Sequence, residues 1–241
     1  MVQNHVVPTP NLAWIEDVGI VGISANANAA SAASDLAAQN ITAMTYGEAC
    51  GGFYPVRANK LFDMEYWSLE QAKLGKGKPP VLQGRIVMIT GGCGAIGLAI
   101  AKAFAALGAY ILLVDQENKI LHSTLSNLGS GHGGVALDVT AKVAASQAMD
   151  ACIQQFGGLD ILVSNAGAAW TGEMTTLDDD LLRKSFELNF FAHQAFAKAA
   201  ADDFVTQGRG GQILFNVSKQ AVNPGKGFGA YGRLLSSCSA S

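Results

Sequence analysis

The sequence is poor in charge and in long apolar runs, and each shortage excludes a class of protein. Charged residues make up 15% of the 241 residues, the net charge is −3, and no stretch is strongly basic. We therefore expect neither a nucleic-acid surface nor a basic membrane anchor. Glycine or charge interrupts every apolar run before it reaches the length of a membrane span, so we expect no membrane partner.

Cysteine and histidine are equally scarce and are scattered along the chain. The four cysteines form no CxxC pair, and the four histidines show no ligand spacing. This pattern predicts neither a metal site nor a disulfide framework. The N-terminus has no basic segment followed by an apolar one, so it does not resemble a secretion signal and a cytoplasmic location is expected.

What the sequence does contain, from Val81 onward, is an alternation of strand-like and helix-like runs. The predicted strands cover 85–90, 109–115, 133–140, 159–167 and 211–218. The predicted helices cover 94–108, 141–157 and 176–208, the last being one long helix or two in succession. Such alternation is typical of right-handed βαβ crossovers. The fold class predicted is therefore α/β, a doubly wound parallel sheet of the Rossmann type.

The first 74 residues read differently and predict a small α+β unit. Two paired strands are expected over 13–24, an alanine-rich helix over 26–49 and a second helix over 60–74. Residues 75–81 follow as a glycine- and proline-containing linker, and 82–241 form the α/β domain. No cluster of acids, histidines or cysteines in the first unit points to chemistry.

The sharpest motif is the glycine-rich turn "ITGGCGAIG" at 89–97, between the first α/β strand and its helix. Glycines allow backbone amides to approach a pyrophosphate, and the helix N-terminus adds unpaired donors. Asp115 ends the next strand, 18 residues after Gly97. There its carboxylate can accept hydrogen bonds from an adenosine ribose. The alternative for Asp115 is a helix cap or a solvated turn residue.

From about Leu82 the chain resembles the short-chain dehydrogenase/reductase family. The family's TGxxxGxG fingerprint stands as "TGGCGAIG", with Ala95 in place of the middle glycine. "LDVT" matches its adenine-pocket motif and "SNAG" its NAG motif. The resemblance implies an NAD cofactor, because the Asp115 carboxylate would repel the 2′-phosphate of NADP. It assigns cofactor binding to Gly91, Gly92, Ile96, Gly97, Asp115, Asp138, Val139, Asn165, Ala166 and Gly167.

The same resemblance implies a catalytic set of Asn189, Ser218 and Tyr231. Asn189 corresponds to the helix asparagine that supports a proton-relay water. Tyr231 follows Ser218 by the family's interval of 13 residues. Ser218 would bond the substrate oxygen, and Tyr231 would pass the proton while hydride moves to or from nicotinamide. The implied substrate is a small alcohol or aldehyde.

The sequence departs from the family at the fourth catalytic position. The family reads YxxxK, and Leu235 stands where the lysine is expected. That lysine is needed because tyrosine has an ordinary pKa of about 10, which a nearby cation lowers by roughly 1–3 units. Arg233 lies about 200° around a helix from Tyr231, and Lys219 has no helical spacing to it. We expect both of these cations to be solvated.

The resemblance becomes more specific in segments 61–97 and 210–232. These segments are similar to the bifunctional rhamnulose-1-phosphate aldolase/short-chain alcohol dehydrogenases. The resemblance makes residues 1–74 the end of an aldolase-like domain, without its zinc-binding histidines. It also implies lactaldehyde as the substrate and a homo-oligomer as the parent assembly. We expect an open-reading-frame fragment clipped at both ends, with "RLLSSCSAS" as a frameshifted terminus.

Three hypotheses remain open from the sequence. The first is an NAD-dependent oxidoreductase acting on a small hydroxy-aldehyde or alcohol. The second is a catalytically silent dinucleotide-binding module, which the leucine at position 235 favours. The third is an unstable product without function, which is suggested by the strands expected after Tyr231 and not found in the sequence.

Overall fold

A computed structural model describes residues 10–24, 27–57, 60, 80–173, 176–223, 225, 227–228 and 231. The helix predicted over 60–74, apart from its first residue, most of the 75–81 linker and Leu235 lie outside the described residues. The chain divides into two compact units, Met1–Pro80 and Val81–Ser241. None of the helices in the described part is both long and apolar enough to cross a membrane.

The first unit contains a hairpin and one long helix. Strands β1 (Leu12–Ile15) and β2 (Gly19–Gly22) pair antiparallel, and helix α1 covers Ala27–Ala49. The helix packs closely on the second strand at Gly22, where an added Cβ would lie 2.0 Å from the carbonyl oxygen of Ala30. The paired strands and the alanine-rich helix predicted for this segment are both present.

The second unit is built on a five-stranded parallel sheet. Its strands are β3 (Ile86–Thr90), β4 (Tyr110–Asp115), β5 (Gly133–Ala136), β6 (Ile161–Ser164) and β7 (Gln212–Phe215), and their order across the sheet is β5-β4-β3-β6-β7. The predicted Rossmann-type fold is therefore confirmed. Its strands are apolar because helices cover both faces of the sheet, and β3 is buried at every position.

The helices of this unit differ from the prediction in two respects. Helix α3 (Asn118–Leu128) was not predicted, because its sequence "NKILHSTLSNL" is rich in residues of low helix propensity. The run predicted over 176–208 is helical throughout its middle but contains a π-helical turn at Glu187–Phe191. The α-helices are α2 (Ala95–Ala106), α3 (Asn118–Leu128), α4 (Ala144–Phe156), α5 (Asp179–Phe186) and α6 (Ala192–Gln207).

The strands predicted over 133–140, 159–167 and 211–218 are each only four residues long in the structure. Strand β5 ends at Ala136, where its pairing with β4 reaches Asp115 at the end of that strand. The Leu137 amide still donates to the Asp115 carbonyl oxygen at 2.8 Å, which is the last contact with the partner strand. Residues 138–140 lie beyond that strand and form the turn that leads to α4.

Side chains on the two faces of the sheet form two separate core layers. Val87 and Ile89 of β3 point to the layer covered by α2 and α3. Met88 points to the opposite layer, where Phe196 of α6 is packed. This alternation follows from the two-residue period of a strand, so each central strand contributes to both layers.

We expect the substitution Phe196→Ala to destabilise the second unit strongly. Phe196 is only 2% exposed, and truncating a buried phenylalanine costs about 3–5 kcal/mol. Val205 on the same helix is 81% exposed, and Val205→Ala should change the free energy of unfolding by less than about 0.5 kcal/mol. Urea unfolding of the two variants tests this, and equal losses would contradict the assigned helix face.

Candidate functional site

A cleft of about 830 Å³ opens along the carboxyl edge of the sheet. It is formed where β3, β4, β6 and β7 end, which is the position where doubly wound folds bind ligands. Ten of the residues proposed from the sequence line this cleft. They are Gly91, Ile96, Gly97, Asp115, Asn165, Ala166, Gly167, Asn189, Ser218 and Tyr231.

The glycine-rich turn holds the backbone close to its neighbours. Gly91 has a φ of +62°, and a Cβ there would lie 2.9 Å from the Cα of Ala166. A Cβ on Gly97 would lie 2.2 Å from the Gly91 carbonyl oxygen. Helix α2 then begins at Ala95 after Gly94, and no side chain caps it. The first amides of this helix have no intrahelical acceptor, and they border the cleft.

Asp115 ties the end of β4 to this turn. One carboxylate oxygen accepts a hydrogen bond from the Cys93 amide at 2.8 Å, and the other accepts one from the Gln116 amide at 2.8 Å. Glu117, and not Asp115, occupies the N-cap position of α3. The capping alternative considered for Asp115 is therefore wrong, and its carboxylate lies at the wall of the cleft.

The turn after β3 and the loop after β6 are joined by hydrogen bonds. Thr90 Oγ1 accepts from the amides of Asn165 and Ala166 at 2.9 and 3.0 Å. Asn165 Nδ2 donates to the carbonyl oxygens of Thr90 and Gly91 at 3.0 and 3.2 Å. Asn216, just after β7, donates to Asn165 Oδ1 at 2.8 Å. One asparagine thus connects three strand ends.

Asn189 lies in the π-helical turn and is 1% exposed. Its Nδ2 donates to the carbonyl oxygens of Ala168 and Ser185 at 2.9 and 3.1 Å. Its Oδ1 accepts from the Ala168 amide at 3.2 Å. The Asn189 side chain therefore anchors the segment after Gly167 to the helix while bordering the cleft.

Ser218 and Tyr231 meet at the far end of the cleft. Ser218 Oγ accepts from the Gln220 amide at 3.3 Å, which caps a short 3-10 turn at Lys219–Ala221, and it also hydrogen-bonds Tyr231. Burial raises the pKa of the Tyr231 phenol above its usual value, while the bond to Ser218 acts in the opposite direction. The balance keeps Tyr231 protonated at neutral pH.

Three of the proposed cofactor residues do not line the cleft. Gly92 is buried beneath Leu113, and Val139 is 6% exposed within a core layer. Asp138 is exposed and accepts hydrogen bonds from the amide and hydroxyl of Thr140, which hold the pKa of its carboxyl below its usual range. Gly92 and Val139 are thus packed inside the fold, and Asp138 fixes the backbone of Thr140.

Several further lining residues were not proposed from the sequence, and two of them, His193 and Asn216, make side-chain hydrogen bonds to the end of β6 and the loop after it. His193 follows Asn189 by four residues, a spacing that places both on one helix face. Asn216 precedes Ser218 by two residues, so its position just past the end of β7 could have been noticed. Neither was recognised because an isolated polar residue in an apolar segment has no motif of its own.

Comparisons with known proteins agree with this geometry. Residues 85–233 match the family model for short chain dehydrogenase, and residues 3–74 match the model for Aldolase class II, second domain. An uncharacterized oxidoreductase of Bacillus subtilis (strain 168), YuxG, is 28% identical over 232 residues, which are 92% of this chain and 33% of that protein. Galactitol 2-dehydrogenase of Agrobacterium fabrum is 30% identical over 60% of this chain and 56% of its own length.

A solved short-chain type dehydrogenase/reductase from Mycobacterium ulcerans superposes with a TM-score of 0.63 at 29% identity. The match covers 66% of this chain and 60% of that structure. The chain thus spans between about a third and three fifths of the length of these relatives. On the family model, the sheet order and the residues gathered at the cleft, the chain belongs to the short-chain dehydrogenase family.

Proposed function

We propose that this chain binds NAD in the cleft, as part of an oxidoreductase that acts on a small alcohol or aldehyde, and that proton transfer is impaired in the chain itself. One observation carries the proposal. A single cleft joins the glycine-rich turn and Asp115 at one end to Asn189, Ser218 and Tyr231 at the other. This order matches a dinucleotide lying along the sheet edge, with its reactive end beside Ser218 and Tyr231.

The residues of the turn fit a dinucleotide. A diphosphate must approach the backbone closely, and a side chain at Gly91 or Gly97 would fill the space that such an approach needs. The uncapped N-terminus of α2 offers amide donors and a partial positive charge to the phosphate oxygens. Ile96, which is 61% exposed, borders the same opening.

Asp115 supports a preference for NAD over NADP. Its two oxygens already accept the amides of Cys93 and Gln116, and each retains a lone pair for a ribose hydroxyl. A phosphate on that ribose would meet this carboxylate at the wall of the cleft. Like charges at short range disfavour the phosphorylated cofactor.

The other end of the cleft supplies the acid–base groups. Ser218 would hydrogen-bond the substrate oxygen, and Tyr231, already bonded to Ser218, would donate or accept the proton. Bound nicotinamide would supply or accept the hydride. Asn189 would keep the adjoining loop in place through its bonds to Ala168.

The raised pKa of Tyr231 favours the hypothesis that the chain binds a dinucleotide but is catalytically silent. A tyrosine working near neutral pH needs a cation close enough to lower its pKa, and burial here has the opposite effect. The sequence has leucine at the position of the family's lysine. We therefore propose that the chain binds the dinucleotide and turns over substrate slowly or not at all.

The proposed substrate is a small hydroxylated compound of the lactaldehyde type. The relatives include a galactitol 2-dehydrogenase and a sorbitol dehydrogenase from Cereibacter sphaeroides, whose names state hydroxylated substrates. The match of residues 3–74 to a class II aldolase domain agrees with a parent protein in which an aldolase precedes the dehydrogenase. Such an arrangement supports an aldehyde produced by sugar-phosphate cleavage, as in rhamnose catabolism.

Adding a methyl group to the glycine-rich turn tests the proposed close approach of its backbone to the cofactor. Gly97→Ala places a methyl 2.2 Å from the Gly91 oxygen and must displace α2, so the Kd for NADH, followed by fluorescence titration, should rise about tenfold or more. Gly94→Ala is the matched comparison because its Cβ would lie 3.4 Å from the same oxygen, an ordinary contact. It should cause a clearly smaller loss. Equal effects of the two methyl groups would contradict the role given to close backbone approach.

Removing the Asp115 carboxylate tests the proposed preference for NAD over NADP. Asp115→Ser removes the carboxylate that faces the ribose, so the ratio of the Kd values for NADPH and NADH should fall about tenfold or more. Glu117→Gln removes the same charge from another residue that lines the cleft, without touching the Cys93 amide, and it should change the ratio much less. A ratio that responds equally to both substitutions would assign the preference to net charge alone.

A lysine introduced at position 235 tests the proposed loss of turnover. Leu235→Lys restores the family's spacing and should lower the pKa of Tyr231 by about 1–3 units, which raises the rate of lactaldehyde reduction by NADH at neutral pH. Leu234→Lys adds the same charge one residue earlier and should have little effect. Efficient turnover by the unmodified chain would overturn the hypothesis that it is catalytically silent. The absence of NADH binding would overturn the proposed function itself.

A further inference from the structure

His193 is a buried polar residue that lines the cleft, and the chemistry proposed above gives it no role. It is 8% exposed and lies on α6, four residues after Asn189. Its Nδ1 is 2.6 Å from the hydroxyl oxygen of Ser164, which is 1% exposed at the end of β6. The ring also hydrogen-bonds the backbone of Ala166.

These two contacts lie on either side of Asn165. Ser164 precedes it and Ala166 follows it, so the imidazole holds the chain at both flanks of the residue that joins the three strand ends. The ring also lies against Phe215, with centroids 6.1 Å apart. His193 therefore braces the loop from the helix side, while Thr90 holds it from the sheet side.

The hydrogen bond between Ser164 and His193 is a specific polar interaction at a buried position. A buried hydroxyl and imidazole bonded to each other contribute little net stability compared with apolar groups of the same shape. Burial lowers the pKa of His193, so the ring is neutral at physiological pH and makes its contacts without a charge. What the polar pair adds over an apolar pair is a fixed orientation of the strand end.

We propose that His193 is a positioning residue that sets the Asn165–Gly167 loop for the nicotinamide riboside half of the dinucleotide. This inference rests on the proposed function. The strand order supports it, because Asp115 ends β4 on one side of β3 and the loop follows β6 on the other. A dinucleotide with its adenosine beside Asp115 extends past the loop toward Ser218 and Tyr231. The adenosine half lies away from His193.

The experiment compares two ligands on matched variants of the full chain. NADH requires the whole cleft, whereas ADP occupies only the adenosine and diphosphate half. His193→Phe keeps an aromatic ring and removes both ring nitrogens, and Ser164→Ala removes only the hydroxyl. His193→Asn retains a polar atom near the position of Nδ1. Gln194→Ala, at an exposed position on the same helix, is the control.

We expect His193→Phe to raise the Kd for NADH about tenfold or more, while the Kd for ADP changes less than about twofold. Ser164→Ala should show the same selectivity with a smaller loss, and His193→Asn should recover part of the NADH affinity. The double variant His193→Phe/Ser164→Ala should bind NADH no more weakly than His193→Phe alone, since both act through one contact. Calorimetric titration measures both ligands.

Two results would overturn the inference. One is unchanged NADH affinity in both His193→Phe and Ser164→Ala, and the other is an equal loss of NADH and ADP binding, which indicates general structural damage. If His193→Phe fails to fold, Ser164→Ala decides by the same criterion. A wild-type chain that binds neither ligand contradicts the proposed function, and the inference fails with it. If the wild-type chain binds NADH but the variants lose affinity for NADH and ADP equally, the inference fails while the proposed function stands.

Discussion

The hydrogen-bonded position of Asn165 is the constraint on which the rest of the site depends. Its side chain bonds two carbonyl oxygens of the glycine-rich turn and accepts from Asn216 at the end of β7. A parallel sheet brings strand ends to one edge but does not fix the loops that leave them. One amide with two donors and an acceptor does so here, because it satisfies groups from three neighbouring strands at once.

The helix that covers this edge completes the arrangement. Asn189 and His193 contact the backbone or side chains of residues that flank the Asn165–Gly167 loop. The π-helical turn that contains Asn189 inserts an extra residue into the helix, and such turns are frequently found at functional sites. The loop is therefore held between the sheet and the helix, and a ligand meets a surface whose shape is already set.

Local features of this unit could be predicted from the sequence, whereas features created by tertiary contact could not. The glycine-rich turn was recognisable because its residues are adjacent and its position after an apolar strand is diagnostic. Helix α3 was missed because packing of Leu121 and Thr124 on the sheet, not intrinsic propensity, sustains it. The contact of His193 with Ser164 joins residues 29 positions apart, and no sequence-spacing rule predicts it.

The motif residues Gly92, Asp138 and Val139 show a related limit. A motif records which residues a fold repeats, and that set includes residues that shape the backbone as well as residues that face a ligand. Gly92 is needed because Leu113 leaves no room for a side chain, and Asp138 is needed because its carboxylate fixes Thr140. Sequence resemblance alone assigns both kinds to the site, and only the structure separates them.

Tyr231 is subject to two opposing effects that the sequence could only partly anticipate. The family spacing from Ser218 brings the two hydroxyls into hydrogen-bonding contact, and that bond works to lower the pKa of the phenol. Burial in the same cleft raises the pKa, and it is the larger effect. Burial of Tyr231 thus disfavours the phenolate, and a nearby cation would be needed to reverse the balance. On the proposed function, the leucine at position 235 therefore counts against turnover and not against binding of the dinucleotide.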